Sequence, residues 1–471
     1  MATIGGPNLD EKYYQYLDRV KQDGGEYKLP NAKEIQPELD NILELNPSLV
    51  LIPTAGKSGK LYSIVPSDGS GDFDFSRNGT ATYLTKNGLI ETAGVNEPRI
   101  EVESDGSFKG VLVEPAATNF MLFSDNLGNF LSPESNNSTA VTTQIQSVEL
   151  GLKTESTNFI NYVVTDGVVL DISGGNGSSI YTGTFNQIGG TQVSISCYVK
   201  YNGYSSVYIG NGTSSNLSGF RGCVFNFNTE TIERFNTTLV TNEKFERLSN
   251  GWFRISCSFI TVSSNVMFGV GALPDGTVGD GIKGIYLFGF QIELGTVATS
   301  YIPTFGSQVT RPADFIARLN AQNLIGQEKG SIYYKFDISD NTQSKQRELL
   351  LIYSSFGYYL LRLRLVPNKI VFAYFNVDEG MTGAGAFGGQ NTIGSVNKFL
   401  FSYNYFTNRV RIYLNGAKLL DIINPILLPR LQNTITLGSL VNQHHANDNS
   451  KNLSLFKTEL TDDQAINLTK L

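Results

Sequence analysis

The sequence predicts a mainly β protein: a short N-terminal helical segment, a β-rich linker region, and two antiparallel β-sandwich domains. Three observations carry this. The chain holds 48 Gly against 15 Pro, its 23 Tyr and 29 Phe make it rich in aromatics, and only 17% of its residues are charged. Short runs of alternating apolar and polar residues recur throughout, and clusters of Gly, Asn and Ser separate them. Aromatic and β-branched residues suit a pleated, half-buried surface, whereas few charges and many turns disfavour long surface helices. The 471 residues suffice for about three domains of ordinary size.

Charge and cysteine usage exclude several functions. A net charge of −7 without a basic stripe argues against nucleic-acid binding, which needs clustered Lys and Arg on phosphates. Cys197 in "VSISCYVK" and Cys257 in "FRISCSF" share the alternating face of their apolar neighbours, and Cys223 leads the strand "CVFNF". They read as small buried apolar residues rather than a disulfide framework or a zinc site. No apolar signal-peptide core opens the chain and no run reaches membrane-spanning length, so the expectation is a soluble chain made in a reducing cytoplasm, with no membrane insertion.

Four pieces succeed one another along the chain. Residues 1–47 hold 14 charged residues, 9 acidic and 5 basic, so they differ in composition from the rest. Asn8 and Glu11 are spaced as a capping box before Tyr13, Leu17 and Val20, and Gly24-Gly25 stops that helix. A second helix runs from about Pro37, with Leu39, Ile42 and Leu43 apolar, and ends before Pro47. Two such short helices cannot bury themselves alone, so they either pack back on the body or dock on another protein; the distinct composition makes 1–47 an expected attachment segment.

Residues 48–128 form the β-rich connecting region, with a hairpin expected at Asn87-Gly88. "AGKSGK" lacks the first glycine of a phosphate loop, since position 51 is Leu51, and no helix follows it. Asp68, Asp72 and Asp74 lie close enough in sequence to hold Ca²⁺, but no bidentate Glu follows at loop spacing, so a solvated turn is expected and no metal site is assigned. Residues 129–313 carry clear alternation between turn clusters, the pattern of a sandwich. Its single Trp252 enters a strand on the face opposite Ile255 and Cys257, where packing beneath a loop is expected over sugar stacking. Residues 314–471 make a second sandwich, with a hairpin turn at Asn415-Gly416 and a final helix capped by Thr461 with Gln464 three residues on. "GAGAFG", residues 383–388, matches part of a dinucleotide fingerprint but leads into no helix, and is expected to be a flexible loop.

Six strings belong together: "LDRVKQDGGEY", "NPSLVLIPTAGKSGKLYS", "DGSGDFDFSRNGTATY", "KGVLVEPAATNFMLFS", "NGWFRISCSF" and "QIELGTVATSYIPTFGSQVTRPAD". Over roughly residues 10–315 they resemble the tail-fibre and receptor-binding virion proteins of tailed bacteriophages, particularly crAss-like phages of gut Bacteroidales. The resemblance implies a jelly-roll domain of carbohydrate-binding-module type over 129–313, closed by Phe290, Ile292 and Leu294 and left by "TSYIPT" at its edge, where Tyr301 packs. Residues 314–471 resemble a concanavalin A-like (laminin G-type) domain. The implied partners are other virion proteins through the N-terminal segment, host cell-surface polysaccharide, and two further copies in a homotrimer. Head fibres share these modules, so a head-fibre, collar or decoration role remains the alternative.

Catalysis lacks its signatures. His444 and His445 are the only two histidines, and no GxSxG, HExxH or CxxC occurs. Paired carboxylates leave almost no motif, so a capsule-degrading glycosidase is a lesser alternative; no β-helix repeat supports it. The expectation is a binder without cofactor or catalytic residue. Sugar recognition uses aromatic faces and fixed hydrogen-bonding groups. The candidates are Tyr204, beside Tyr201 in "YNGYSS", Tyr358 in "SSFGYY", and Asn442, Gln443, His444, His445, Asn447 and Asp448 in "NQHHANDN". For the tyrosines the competing reading is sheet packing, and for the histidine loop a solvated connection.

Overall fold

The computed structural model describes residues 11–28, 34–103, 105–124, 131–134, 138–146, 156–164, 179–182, 190–213, 216–235, 239–261, 267–273, 280–337, 347–355, 359–366, 369–376, 380–388, 396–423, 431–438 and 448–471. The chain folds as two β-sandwich units, and both are discontinuous in sequence. Unit 1 comprises Met1–Thr80, Ala93–Ala116 and Pro312–Leu471; unit 2 comprises Ala81–Thr92 and Ala117–Arg311. This partition replaces the expected four pieces. Residues 48–128 are not a connector, because their strands are divided between the two sandwiches.

Among the described residues, unit 1 has a ten-stranded antiparallel sheet. Its order is Glu26–Tyr27, Ala55–Lys57, Lys60–Leu61, Phe73–Ser76, Phe315–Arg318, Gln432–Leu437, Arg347–Ser354, Tyr359–Val366, Lys369–Asn376 and Gly380–Gly388. The facing sheet runs Ala417–Ile423, Arg409–Leu414, Val396–Asn404, Lys329–Asp337, Asp448–Phe456, Phe108–Val113 and Ile100–Val102, with Leu49–Leu51 also paired to Asp448–Phe456. Ile316, Leu350, Leu363 and Leu437 from the first sheet join Ile332, Phe336, Phe401 and Leu455 of the second in one buried cluster. "AGKSGK" is a β-hairpin turning at Gly59 (φ +82). "GAGAFG" is not a loop: it lies in the strand Gly380–Gly388, paired along Lys369–Asn376. A neighbour's backbone hydrogen bonds hold a small-residue strand that its own sequence marks as weak.

The N-terminal helices belong to this body. Helix α1 (Glu11–Gln22) buries Tyr13, Tyr16 and Val20, and helix α2 (Gln36–Glu44) buries Leu39 and Ile42, all within the unit 1 core. Arg19 pairs with Asp72 at 2.5 Å, the Tyr16 and Thr54 hydroxyls share a hydrogen bond of 2.9 Å, and Glu38 receives Lys335 Nζ at 2.5 Å and Asn452 Nδ2 at 2.8 Å. The segment packs back, so the argument for attachment from unburied helices falls. Asn8 lies outside the described residues. Asp68 caps Ser70 and Asp72 serves Arg19 and Ser63, so these carboxylates are committed to a turn and an ion pair. Helix α3 (Asp462–Thr469) carries the expected capping box of Thr461 and Gln464, and Asn415 and Gly416 both take positive φ (50 and 83) in the expected hairpin turn.

Among the described residues, unit 2 pairs two six-stranded sheets around Ile195, Cys197, Ile209, Cys223, Phe225, Ile255, Cys257 and Ile292. The three cysteines are buried and free, as expected. The strand Asp280–Leu294 lies between Ser156–Val164 and Gln192–Asn202, so it is a central strand rather than an edge. The segment leaving this strand folds back over its outer face. Glu293 accepts from the Thr299 hydroxyl (2.5 Å), the Thr299 N–H (2.8 Å) and Gln291 Nε2 (2.7 Å), while Gln291 Oε1 accepts the Ile302 N–H (2.7 Å). Tyr301 is buried against Tyr198 and Phe288 in a satellite cluster with Trp252 and Ile90 of the hairpin built on Asn87-Gly88. Trp252 is therefore a packing residue.

Four buried charges stand where unit 1 hands the chain over and takes it back. Arg77 precedes the crossing at Thr80, Arg99 follows that at Ala93, Glu114 precedes that at Ala116 and Asp314 follows that at Pro312. Arg77 Nη1 donates to Asp314 Oδ1 (2.9 Å), Arg99 donates to both Asp314 and Glu114, and the Glu114 N–H donates to Asp314 Oδ2 (2.9 Å). Two guanidinium groups meet two carboxylates, so the cluster is neutral. Burial disfavours the Arg99 cation, but the Asp314 and Glu114 carboxylates outweigh it and hold its pKa above the ordinary value.

Candidate ligand-binding face

Cross-strand register sorts the ten-stranded sheet into rows. Phe75, Ile316, Leu437, Leu350 and Leu363 oppose one another in sequence across five strands, and all lie in the core. Side chains alternate between faces along a strand, so the adjacent row (Asp74, Ala317, Thr436, Leu351 and Arg362) points away from the core. A further outward row sets Thr434 opposite Tyr353 and Tyr353 opposite Tyr359.

This outer face has an apolar and hydroxyl floor with an aromatic and charged cover. Leu351 and Thr436 are fully buried and Thr434 nearly so, while Tyr353, Tyr359, Arg362 and Arg364 are half-buried. The Tyr353 and Tyr359 ring centroids stand 5.8 Å apart at 48°, and the Arg362 guanidinium lies 5.6 Å from the Tyr359 centroid. Arg362 Nε donates to Glu348 Oε1 at 2.9 Å and its Nη2 joins the same oxygen. That hydrogen bond raises the Arg362 pKa, against a smaller opposing effect of burial. Burial raises both tyrosine pKa values, so the phenols stay protonated at neutral pH. Such a surface presents ring faces, planar donors and one acceptor: it can hold a ring-shaped polar molecule by stacking and by fixed hydrogen bonds.

Tyr358, Asn442, Gln443, His444, His445 and Asn447 lie outside the described residues. Asp448 opens the strand Asp448–Phe456, opposite Val113. Tyr204 is 2% exposed inside the unit 2 core and offers no ring face to a ligand, whereas its neighbour Tyr201 is 48% exposed. The missed signal was "YLLRLRLV", where Leu361, Leu363 and Leu365 alternate with Arg362 and Arg364. It marks a strand with one apolar and one cationic face.

No protein-family model matches the sequence, and no curated protein matches it. Among solved structures, the chain is similar to the CBM40 of Ruminococcus gnavus IT-sialidase bound to alpha2,3 sialyllactose, with 14% identity and a TM-score of 0.27 over 31% of this chain and 84% of that one. It is similar also to the botulinum neurotoxin serotype D binding domain, with 13% identity and a TM-score of 0.28 over 33% of this chain and 40% of that one. Scores this low carry no argument about ligands.

Proposed function

We propose that this chain is a virion component of a tailed bacteriophage, a tail fibre or receptor-binding protein, and that it holds host surface polysaccharide on the outer face of its ten-stranded sheet. The virion part of the proposal rests on the six sequence strings. Several of their residues serve scaffolding: Arg77, Glu114 and Asp314 form the buried charge cluster, and Gln291, Glu293 and Tyr301 fasten the exit of unit 2. The strings therefore speak for a type of module, and recognition falls to residues outside them.

The observation that carries the binding part is the Tyr353–Tyr359 pair flanked by Arg362. Binding fits this face better than hydrolysis: Glu348 is the carboxylate beside the rings among the described residues, it is committed to Arg362, and glycosidic cleavage needs two. Attachment to other virion proteins and a homotrimeric state belong to the same proposal, as cyclic closure avoids runaway assembly.

The test is adsorption of the purified full chain to host cells, with isolated host surface polysaccharide as competitor. Saturable binding displaced by the polysaccharide is expected. A chain that binds neither cells nor polysaccharide, yet is firmly held in particles, is a structural head-fibre or collar component instead.

A further inference from the structure

Three thiols meet in the core of unit 2. Cys197 lies in the strand Gln192–Asn202 and Cys257 in its neighbour Trp252–Ile260, whereas Cys223 lies in Asn216–Asn226 of the facing sheet. All three are fully buried and free. The strands of Cys223 and Cys257 approach within 8 Å between Cα atoms, closer than the ~10 Å of stacked sheets. Cys223 reaches across this gap: its Sγ donates to the Ser256 carbonyl oxygen at 3.9 Å and shares a hydrogen bond with the Cys257 thiol.

Register sets this pair apart from the other. Cys197 stands opposite Ile255 and Cys257 opposite Ile195, so Cys197 and Cys257 are diagonal neighbours within one sheet. Diagonal Cα atoms lie about 7–8 Å apart, beyond the ~7 Å that a disulfide spans without backbone movement. Cys223 and Cys257 already stand thiol to thiol. Burial raises the Cys197 and Cys223 thiol pKa values, so the closed fold keeps both protonated and unreactive. Exchange therefore proceeds from molecules in which unit 2 has opened, and the pairing is fixed as the strands return.

We propose that Cys223 and Cys257 form a covalent modification site: a small disulfide oxidant, such as oxidised glutathione, joins them and staples the two sheets of unit 2. One protein thiolate attacks a glutathione sulfur and expels one glutathione, and the second displaces the other. Two protein thiols are oxidised, one glutathione disulfide is reduced to two thiols, and two protons pass from protein sulfur to glutathione. The bond encloses Thr231–Phe235 and Val240–Arg247, each at one end of its sheet among the described residues. It thereby constrains the strands that close one side of the sandwich.

The test holds the purified full chain a few degrees below its unit 2 thermal midpoint with excess oxidised glutathione, then quenches with acid, alkylates and maps the peptides by mass spectrometry. A Cys223–Cys257 link should accumulate with Cys197 alkylated. The unit 2 midpoint should rise by about 5–10 °C, a gain that dithiothreitol removes. Cys223→Ala and Cys257→Ala should each abolish the link and the rise, while Cys197→Ala keeps both. Three alkylated cysteines, a glutathione adduct that never closes, or a link through Cys197 would overturn the proposal. A Cys223–Cys257 bond that leaves the midpoint unchanged would overturn the stapling.

Discussion

Arg77 and Asp314, 237 positions apart in sequence, form an ion pair of 2.9 Å with both side chains wholly removed from solvent. Asp314 also receives Arg99 and the Glu114 N–H, so one carboxylate gathers all three segments of unit 1. Desolvating these charges is costly, and their mutual neutralisation offsets it only while every partner is present.

Asp314→Ala should therefore destabilise unit 1 by about 3–5 kcal/mol, the usual cost of leaving a buried charge unpaired. Calorimetry of the full chain should show the unit 1 transition moving down while the unit 2 transition stays. A shift worth less than about 1 kcal/mol would mean that solvent reaches the cluster.

Removing residues 1–47 should prevent unit 1 from folding. The truncation deletes five fully buried apolar side chains, Tyr13, Tyr16, Val20, Leu39 and Ile42, each worth about 1.5–3 kcal/mol. Limited proteolysis of a chain starting at Ser48 should degrade unit 1 strands rapidly. Full protection would show that the helices are dispensable to the core.

Glu38 gives unit 1 an acid limb. Burial works against its carboxylate, but Lys335 and Asn452 overcome this and hold its pKa below the ordinary glutamate value. The folded state thus binds its proton less readily than the unfolded chain. The stability it confers is present above the ordinary glutamate pKa and is lost as pH falls through the lower folded one. Glu38→Gln should flatten this limb in a series of thermal midpoints against pH. An unchanged profile would place the acid sensitivity elsewhere.

Much of this architecture is readable locally. The Asn415-Gly416 turn, the Thr461 capping box, the buried cysteines and the packed Trp252 each arise from a few neighbouring residues. Long-range pairing does not. Periodicity shows which side of a strand is apolar but not which strand lies beside it, so Phe73–Ser76 gives no sign that it pairs with Phe315–Arg318. The same limit explains why the grouping of Arg362 and Arg364 with Tyr353, Tyr359 and Glu348 was not legible, although the alternation of "YLLRLRLV" carries a cationic strand face. Tyr204 failed for the opposite reason: its turn-like surroundings suggested exposure, and packing decided otherwise.

Gly289 ties the last long strand of unit 2 to its fold. Its φ is +61, and an added Cβ would lie 2.8 Å from the Tyr198 ring and 3.1 Å from that of Tyr301. Gly289→Ala should lower unit 2 stability by about 1–3 kcal/mol, combining left-handed strain with overpacking. Urea unfolding followed by Trp252 fluorescence reads this directly, and a neutral substitution would mean the Tyr301 lock is loose.

Recognition by the outer face is tested most sharply by the affinity of the purified chain for host cells, compared between the native protein and the Tyr353→Ala/Tyr359→Ala double variant. Both rings are half-buried on that face, so the fold should survive their loss. Removing two stacking surfaces should weaken binding by at least tenfold, about 1.4 kcal/mol, with the thermal midpoints of both units nearly unchanged. A double variant that folds and binds host cells as tightly as the native chain would contradict the assignment of recognition to this face.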